Sequence, residues 1–425
     1  MTARRAWEYR PAVLSRRRAW LVAIAATLTM AVSYFDRQTL SVLSIAVMEA
    51  LHLSKQQYGW LGSAFAAAYL LGTPLAGWWI DRIGSRRGLL ISVLAWSVVA
   101  ALHAAALGFA TLIVLRFALG LAEGPSFPGA AKTVQRILPP GDRERGFGVL
   151  FTGSSIGALL APLFATWVYR EAGWRTAFIA STAAAGVLWI PLWYFVTRAR
   201  RVRDQLDVAP ATAGATPRPR LDHLVRDPIV LRALAAIFCA APVFVFPTFW
   251  GASFLNVNFG ITQGNVGHFL WLPPLVFDVS AITFGHLAAR QHRAEGVPAR
   301  GLVGAGVALC ACLALLPLAT TAWQATIGMS LAMAGSACVY TLVTADLLAR
   351  MPADITSFAS GILAGAQSMA LIIVNPLAGL LVDRLGSYDV PTIAIGLWAI
   401  PGGVVWLATR PAVRYMPAAR IHSGS

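Results

Sequence analysis

Asp36 and Arg37 stand side by side near the end of the first long apolar run of this chain, in the stretch SYFDRQTLS. Arg116 and Glu123 stand seven residues apart in the fourth such run, and Asp278 falls within the eighth. An ionisable side chain inside a membrane span costs about 2.5–3.5 kcal/mol on insertion scales, so it is retained where it faces a cavity and works there. Residues i and i+1 on a helix point in different directions, so Asp36 and Arg37 are not expected to neutralise each other. Arg116 and Glu123, two helical turns apart, share one face with Gly120 between them, and that small residue lets a substrate or another helix come close. Each guanidinium offers a planar fork of donors to a carboxylate, and buried carboxylates can take up and release protons. The chemistry on offer is anion recognition coupled to proton transfer. A purely structural charge network between the first and fourth helices would use the same four residues.

The elements that must hold these groups are membrane spans. Of 425 residues, 57% are hydrophobic and 12% charged, with mean hydropathy +0.66; a soluble chain carries about a quarter charged residues. Apolar runs of about 20 residues, enough to cross a bilayer, fall near 19–40, 58–80, 87–107, 110–133, 146–168, 176–197, 230–254, 265–289, 301–319, 322–347, 357–382 and 390–410. The expected fold is an all-α polytopic membrane protein of twelve transmembrane helices in two six-helix halves. Its parts are a basic N-terminus (1–18), an N-terminal bundle (19–197), a linker (198–229) rich in Pro, Ala, Thr and charge, a C-terminal bundle (230–410) and a tail (411–425). Of the 34 lysines and arginines, Arg37 and Arg116 lie within spans and Lys55, Arg170, Arg175 and Arg384 fall in the loops of one side. The remainder fall on the other side together with both termini, which the positive-inside rule makes cytoplasmic. The net charge of +16 therefore reports orientation; nucleic acid is not an expected partner, since no basic surface is interleaved with exposed aromatics. Cys239, Cys310, Cys312 and Cys338 lie inside apolar runs and read as small core residues, not as a disulfide framework or metal site. SSIGALLAPLFATWVYR (154–170) and SMALIIVNPLAGLLVDR (368–384) align as a faint repeat of one half in the other, a building plan of parallel half-repeats.

The stretch GWWIDRIGSRRG, between the second and third runs, resembles the G-x-x-x-D-R-x-G-R-R signature of the major facilitator superfamily, with Ser85 extra before the arginine pair. The resemblance implies a conformational latch formed by Gly77, Asp81, Arg82, Gly84, Arg86 and Arg87, in which Asp81 pairs with the end of a neighbouring helix and the arginines meet carboxylates or helix C-termini. The matching loop of the second half, GHLAARQHRAEG, has no aspartate. Within the superfamily, YFDRQTLS, RFALGLAEGPSFPGAAK, GSSIGALLAP and WLPPLVFDVSAITFGHLA resemble the anion–cation symporter family, which includes hexuronate and galactonate transporters. That resemblance implies that Asp36 and Glu123 are the proton-coupling pair, that Arg37 contacts substrate, and that Tyr69 is the binding tyrosine.

Around these groups the sequence offers further hydrogen-bonding residues: Ser154 in the fifth span, and Gln367, Ser368 and Asn375 in the eleventh. Tyr58, Gly62, Phe65, Tyr69 and Thr73 form one stripe, with Tyr58 expected at the membrane interface. Phe246, Phe249 and Trp250 are expected either to line a cavity or to join an aromatic belt. Asp278 is a possible cavity charge, serving proton transfer or accepting bonds from the helix backbone and His286. The loops hold no His/Asp/Glu cluster, and no GxxxxGK[ST] is present, so neither a membrane enzyme nor an ATP-driven pump is expected. The expected protein is a monomeric proton symporter that imports a small organic carboxylate, foremost a hexuronate or aldonate, across a bacterial inner membrane, with no cofactor or metal. An aromatic-carboxylate symporter and a drug–proton antiporter of the same fold are the alternatives, the second opposed by two arginines that would repel a cationic drug.

Overall fold

The start of the second apolar run shows how the sequence sets its helix ends. Ser54 Oγ accepts the Gln57 N–H at 3.1 Å, and the Gln57 side chain accepts the Ser54 N–H at 3.0 Å. Two otherwise unsatisfied backbone donors are thus capped reciprocally, and the helix runs on to Ile83, ending at Gly84 with φ 84°. The computed structural model describes residues 14–207, 226–295, 300–351 and 356–409, and the regular structure among them is helical throughout. Most of the basic stretch 1–18, residues 208–225 of the linker and the tail 411–425 lie outside the described residues.

The helices are α1 (Arg16–Val42), α2 (Ser44–Ala50), α3 (Lys55–Ile83), α4 (Ser85–Leu102), α5 (Phe109–Glu123), α6 (Ser126–Ile137), α7 (Pro140–Thr197) and α8 (Arg200–Asp207) in the first part of the chain. They continue as α9 (Pro228–Val245), α10 (Gly251–Phe259), α11 (Gly267–Leu270), α12 (Leu272–Glu295), α13 (Arg300–Ala311), α14 (Ala322–Arg350), α15 (Thr356–Leu385) and α16 (Asp389–Ala408). Among the described residues, ten helical runs are long and apolar enough to cross a membrane. Two of the expected spans share one of these runs: α7 has 58 residues, roughly 87 Å if straight, nearly three times a hydrocarbon core of about 30 Å. Gly173, at φ 78° and ψ 174°, breaks the run in two. α3 stays outside the ten although it is 29 residues long, because glycine, serine, threonine, proline, tyrosine and tryptophan dilute its most apolar stretch. Apolar side chains such as Leu71, Leu107, Leu188, Ile282 and Leu318 point outwards and are exposed, as a surface facing lipid tails requires.

Without a hydrophobic drive between helices in lipid, close packing decides which helices meet. α1 packs along α7, where a Cβ on Gly157 would strike the Ala31 carbonyl. α3 packs along α5, where a Cβ on Gly120 would strike the Phe65 carbonyl. The neighbour that Gly120 admits is therefore a helix. Two of the apolar cores are private: one draws on residues from Ala19 to Leu206, another on residues from Ile229 to Trp406. A third takes side chains from both parts of the chain, including Leu40, Tyr58, Phe178, Phe246, Phe254 and Tyr388.

Hydrogen bonds between the two parts gather at the end of the molecule where this shared core lies. Both Asp383 oxygens accept backbone N–H groups at the start of α3, from Lys55 and Gln56, at 2.8 Å each. Lys55 Nζ donates to Ser253 Oγ at 2.7 Å, which also receives the Tyr388 hydroxyl at 2.7 Å. The Gln263 side chain donates to the Val42 carbonyl at 2.6 Å, and Arg170 donates to the Asn265 side chain at 2.9 Å. This end is closed. Tyr58, expected at the membrane interface, is instead wholly buried in the closure: its hydroxyl donates to the Phe249 carbonyl at 2.8 Å and its ring stacks on Phe249 with centroids 4.4 Å apart. Phe246, Phe249 and Trp250 are buried in the same contact, so they neither form a lipid-facing belt nor line an open cavity. A helix N-terminus attracts a carboxylate by its free N–H groups and its dipole. Asp383→Asn is expected to favour opening of this end by about 1 kcal/mol, read as a longer-distance population between spin labels at positions 49 and 258.

Candidate functional site

The site is built where α1, α3 and α5 meet. Glu123, fully buried at the end of α5, accepts three hydrogen bonds on one oxygen: Ser33 Oγ at 2.9 Å, Arg37 Nε at 3.2 Å and an Arg37 terminal nitrogen at 2.8 Å. Its other oxygen is buried without a partner. Ser33 and Arg37 are one turn apart on α1, so a single helical face presents both donors. The Arg37 side chain keeps 22% of its surface exposed. Its guanidinium carbon lies 4.6 Å from the Tyr34 ring centroid, 4.7 Å from that of Phe65 and 4.9 Å from that of Tyr69. Rings around a cation hold it in a fixed place while it is partly stripped of water, each contact contributing roughly 0.5–2 kcal/mol.

Arg116, one face of α5 shared with Glu123, places its guanidinium carbon 4.8 Å from the Phe65 ring centroid, so the two arginines share one phenyl ring. Arg116 is almost fully buried and its Nε has no hydrogen-bond partner. Asp36 is 3% exposed, and neither of its oxygens has a donor. Its electrostatic neighbours are Glu123 and the Trp96 indole. The arrangement therefore holds one buried ion pair, one buried cation away from any carboxylate oxygen, and one buried carboxyl group without donors. Arg37 pairs across helices with Glu123 and not with its chain neighbour Asp36. Breaking a buried pair by removing one partner is costly, whereas replacing both by apolar groups need not be.

Of the other residues singled out from sequence, Tyr69 joins the ring cage of Arg37. Asp278 lies on α12, half-buried, and α12 packs against α7 of the first part of the chain and against α14. Ser154, Gln367 and Ser368 are half-buried. Asn375 is buried at the closed end and accepts the Trp250 indole N–H at 3.2 Å. Ser33, Tyr34 and Phe65 were not anticipated as site residues. Ser33 and Tyr34 stand four and three residues before Arg37, the spacing that brings side chains onto one helical face.

The signature loop lies at the other end of the molecule. Asp81 pairs with Lys132 of α6 at 2.5 Å, and Lys132 also donates to the Ile80 carbonyl at 3.3 Å. Arg86 donates to Thr197 Oγ1 at 3.2 Å and to Asp207 at 3.3 Å, and Arg87 lies 3.8 Å from the same carboxylate. Arg82 stacks on the Trp78 ring at 3.9 Å instead of meeting a carboxylate. Gly84, at φ 84°, supplies a conformation open to glycine and packs against the backbone of Leu206 and Asp207, while Gly77 meets nothing nearby. The receiving element is α8, inside the stretch expected to be a plain linker; its Val202 and Leu206 are buried in the first core. In the second part of the chain, Asp346 binds both Arg232 and Arg350, the latter at 2.8 Å, and all three are largely buried.

Residues 26–374 match the family model described as Major Facilitator Superfamily. The hexuronate transporter of Escherichia coli (strain K12) is 27% identical over 289 residues, 65% of this chain and 67% of that protein. A protein of Bacillus subtilis (strain 168) named a probable galactarate/D-glucarate transporter is 24% identical over 411 residues, 90% of this chain and 89% of its own. Among solved structures, a bacterial homologue of the human lysosomal transporter Spinster, inward-facing and unoccupied, superposes with a TM-score of 0.77 at 17% identity, covering 93% of this chain and 97% of that one. Glu123→Ala leaves Arg37 without its partner and is expected to destabilise the protein by about 3 kcal/mol. The double replacement Arg37→Met with Glu123→Leu is expected to cost less than Glu123→Ala alone, as read from thermal unfolding of the detergent-solubilised protein.

Proposed function

The chain belongs to the Major Facilitator Superfamily, and from that premise we propose that it is a proton-coupled symporter of sugar acids, with a hexuronate or aldonate as its cargo. It is a transporter, not an enzyme. The observation that carries the reading is the pairing of Arg37 with Glu123 inside a cage of aromatic rings, beside a second buried guanidinium, Arg116, on the same Phe65 ring. A guanidinium that already holds one carboxylate is shaped to hold another. Protonation of Glu123 weakens its grip on Arg37, and the fork of donors then passes to the carboxylate of the substrate. One anion replaces another and a proton compensates, so the buried site never carries a large excess of charge. Loss of the proton restores the Glu123–Arg37 pair and expels the substrate. Asp36, buried without donors and close to Glu123, is the second proton carrier. Tyr69, Ser154, Gln367, Ser368 and Asn375 supply hydrogen bonds for substrate hydroxyls.

On this reading the protein has twelve membrane helices: α3 and the two arms of α7 complete the set. Both termini face the cytoplasm, the protein is a monomer, and the membrane is a bacterial inner membrane. The closed end then faces outwards, and alternating access requires the bonds of Asp383, Lys55 and Gln263 to break. At the inner end, the grip of Arg86 and Arg87 on Asp207 is the latch. The second buried guanidinium, Arg116, opposes a cationic drug as cargo.

The test uses purified protein in liposomes loaded with a pH-sensitive dye and challenged with sugar acids and aromatic acids. Acidification of the interior by hexuronates or aldonates, absent in Asp36→Asn, is the expected result. Acidification by aromatic acids alone moves the cargo to that class, and silence with every acid in folded protein overturns the symport reading.

A further inference from the structure

We infer that Ser33 is a positioning residue of the exchange on Arg37: it favours the substrate-free ion pair over the substrate-bound state, and so drives release of the cargo. The inference rests on the reading above and deepens it. Ser33 is fully buried on α1, and its hydroxyl donates to Glu123 Oε2 at 2.9 Å. A serine hydroxyl has one proton to donate, and inside a helix its ready acceptor is the carbonyl four residues back. Thr27, Thr29 and Thr39 of the same helix use that acceptor, donating to the carbonyls of Ala23, Ala25 and Phe35 at 3.1, 3.4 and 3.0 Å. Ser33 instead directs its proton across helices, to a carboxylate of α5.

The three donors on Glu123 fall on one oxygen. Arg37 Nε at 3.2 Å and an Arg37 terminal nitrogen at 2.8 Å reach the same Oε2 that Ser33 holds, while Oε1 is buried and has no hydrogen-bond partner. A guanidinium fork frequently spans both oxygens of a carboxylate; here it leaves one open. Oε1 is therefore the oxygen that can take a proton without displacing a donor. Once it does, Glu123 is a neutral acid and Arg37 turns to the substrate carboxylate. Ser33 keeps its bond to Oε2, and with it the place of the carboxyl group. That bond is then weaker, because a hydrogen bond to an ionised acceptor is roughly twice as strong as one to a neutral acceptor. The hydroxyl thus stabilises the substrate-free, deprotonated site more than the loaded, protonated one. When the proton leaves Oε1, the carboxylate already stands aligned with Arg37, one turn from Ser33 on α1, and it displaces the substrate.

Binding of galacturonate and of galactonate to the purified full chain is measured by isothermal titration calorimetry at mildly alkaline pH, where the substrate-free protein starts from the ion pair. Ser33→Ala is expected to bind the acid roughly fivefold more tightly than the parent, and to exchange it more slowly at saturation in liposomes. Loss of a merely structural contact would weaken binding, not tighten it. Ser33→Cys, whose thiol is a weaker donor, is expected to move binding in the same direction by less, and it serves in place of the alanine variant should that fail to fold. Two controls tie the effect to the carboxylate. Ser33→Ala made on top of Glu123→Gln is expected to bind as Glu123→Gln alone does. Thr29→Val, which removes another buried hydroxyl of α1, is expected to bind as the parent does. Parental or weaker binding by the folded Ser33 variants, tightening that persists in the Glu123→Gln background, or equal tightening in Thr29→Val overturns the inference while the sugar-acid reading stands. Failure of the folded parent to bind either acid overturns both.

Discussion

A guanidinium in the interior of a membrane protein is costly unless something answers its charge, and the centre of this structure is arranged around how Arg37 is answered. Glu123 supplies the countercharge, Ser33 donates to the same carboxylate oxygen, and three aromatic rings surround the guanidinium. Desolvating both ions costs several kcal/mol each, and their attraction in a low-dielectric setting offsets this only with good geometry. Geometry here depends on helix packing. The pair spans α1 and α5, the cage adds α3, and Gly120 lets α3 come within reach of α5. A larger residue at that position would separate the rings from the cation. The ion pair is therefore a tertiary feature, although each member reads from sequence as an isolated charge.

The same constraint explains why the pair suits transport. A buried ion pair is stable only when both partners are present, so each change of partner must be compensated. In the proposed cycle, exchange of the Glu123 carboxylate for a substrate carboxylate would leave Arg37 answered throughout, and a proton on Glu123 would keep the sum of charge nearly constant. Arg116 and Asp36 sit in the surrounding helices as an unpaired cation and an undonated carboxyl group, so the site as a whole is poised between charge states. The closure at the Lys55–Asp383 end combines short polar contacts and aromatic packing with the core that both parts of the chain share.

Much of the fold was legible because bilayer thickness writes itself into run length. Helices lie over the expected runs, and the charged residues that interrupt them marked the site. What the sequence concealed has common physical causes. Tyr58 reads as interfacial, and Phe249 and Trp250 as either cavity-lining or belt residues, because the same amphipathic rings serve a cavity, a membrane belt or a contact between helix sets, and only the three-dimensional arrangement decides. Asp383 and Asp346 sit at the ends of spans, where carboxylates are ordinary; nothing in their surroundings along the chain shows that one caps α3 and the other joins Arg232 to Arg350. The start of the linker read as polar and irregular, yet two apolar residues one turn apart, Val202 and Leu206, were enough to dock α8 against the first core. Ser33 and Tyr34 are silent in the sequence for the simplest reason: beside two charges, a hydroxyl carries little signal until its partner is in view.

The measurement that bears most directly on the role of the Arg37–Glu123 pair is transport by Glu123→Gln in liposomes, with uphill accumulation and exchange of internal for external sugar acid followed side by side. Glutamine keeps the shape of the side chain and removes the proton-binding charge. Loss of proton-driven accumulation with exchange retained is the expected result. Accumulation at the parental rate would contradict the assignment of Glu123 as the group through which proton and substrate compete for Arg37.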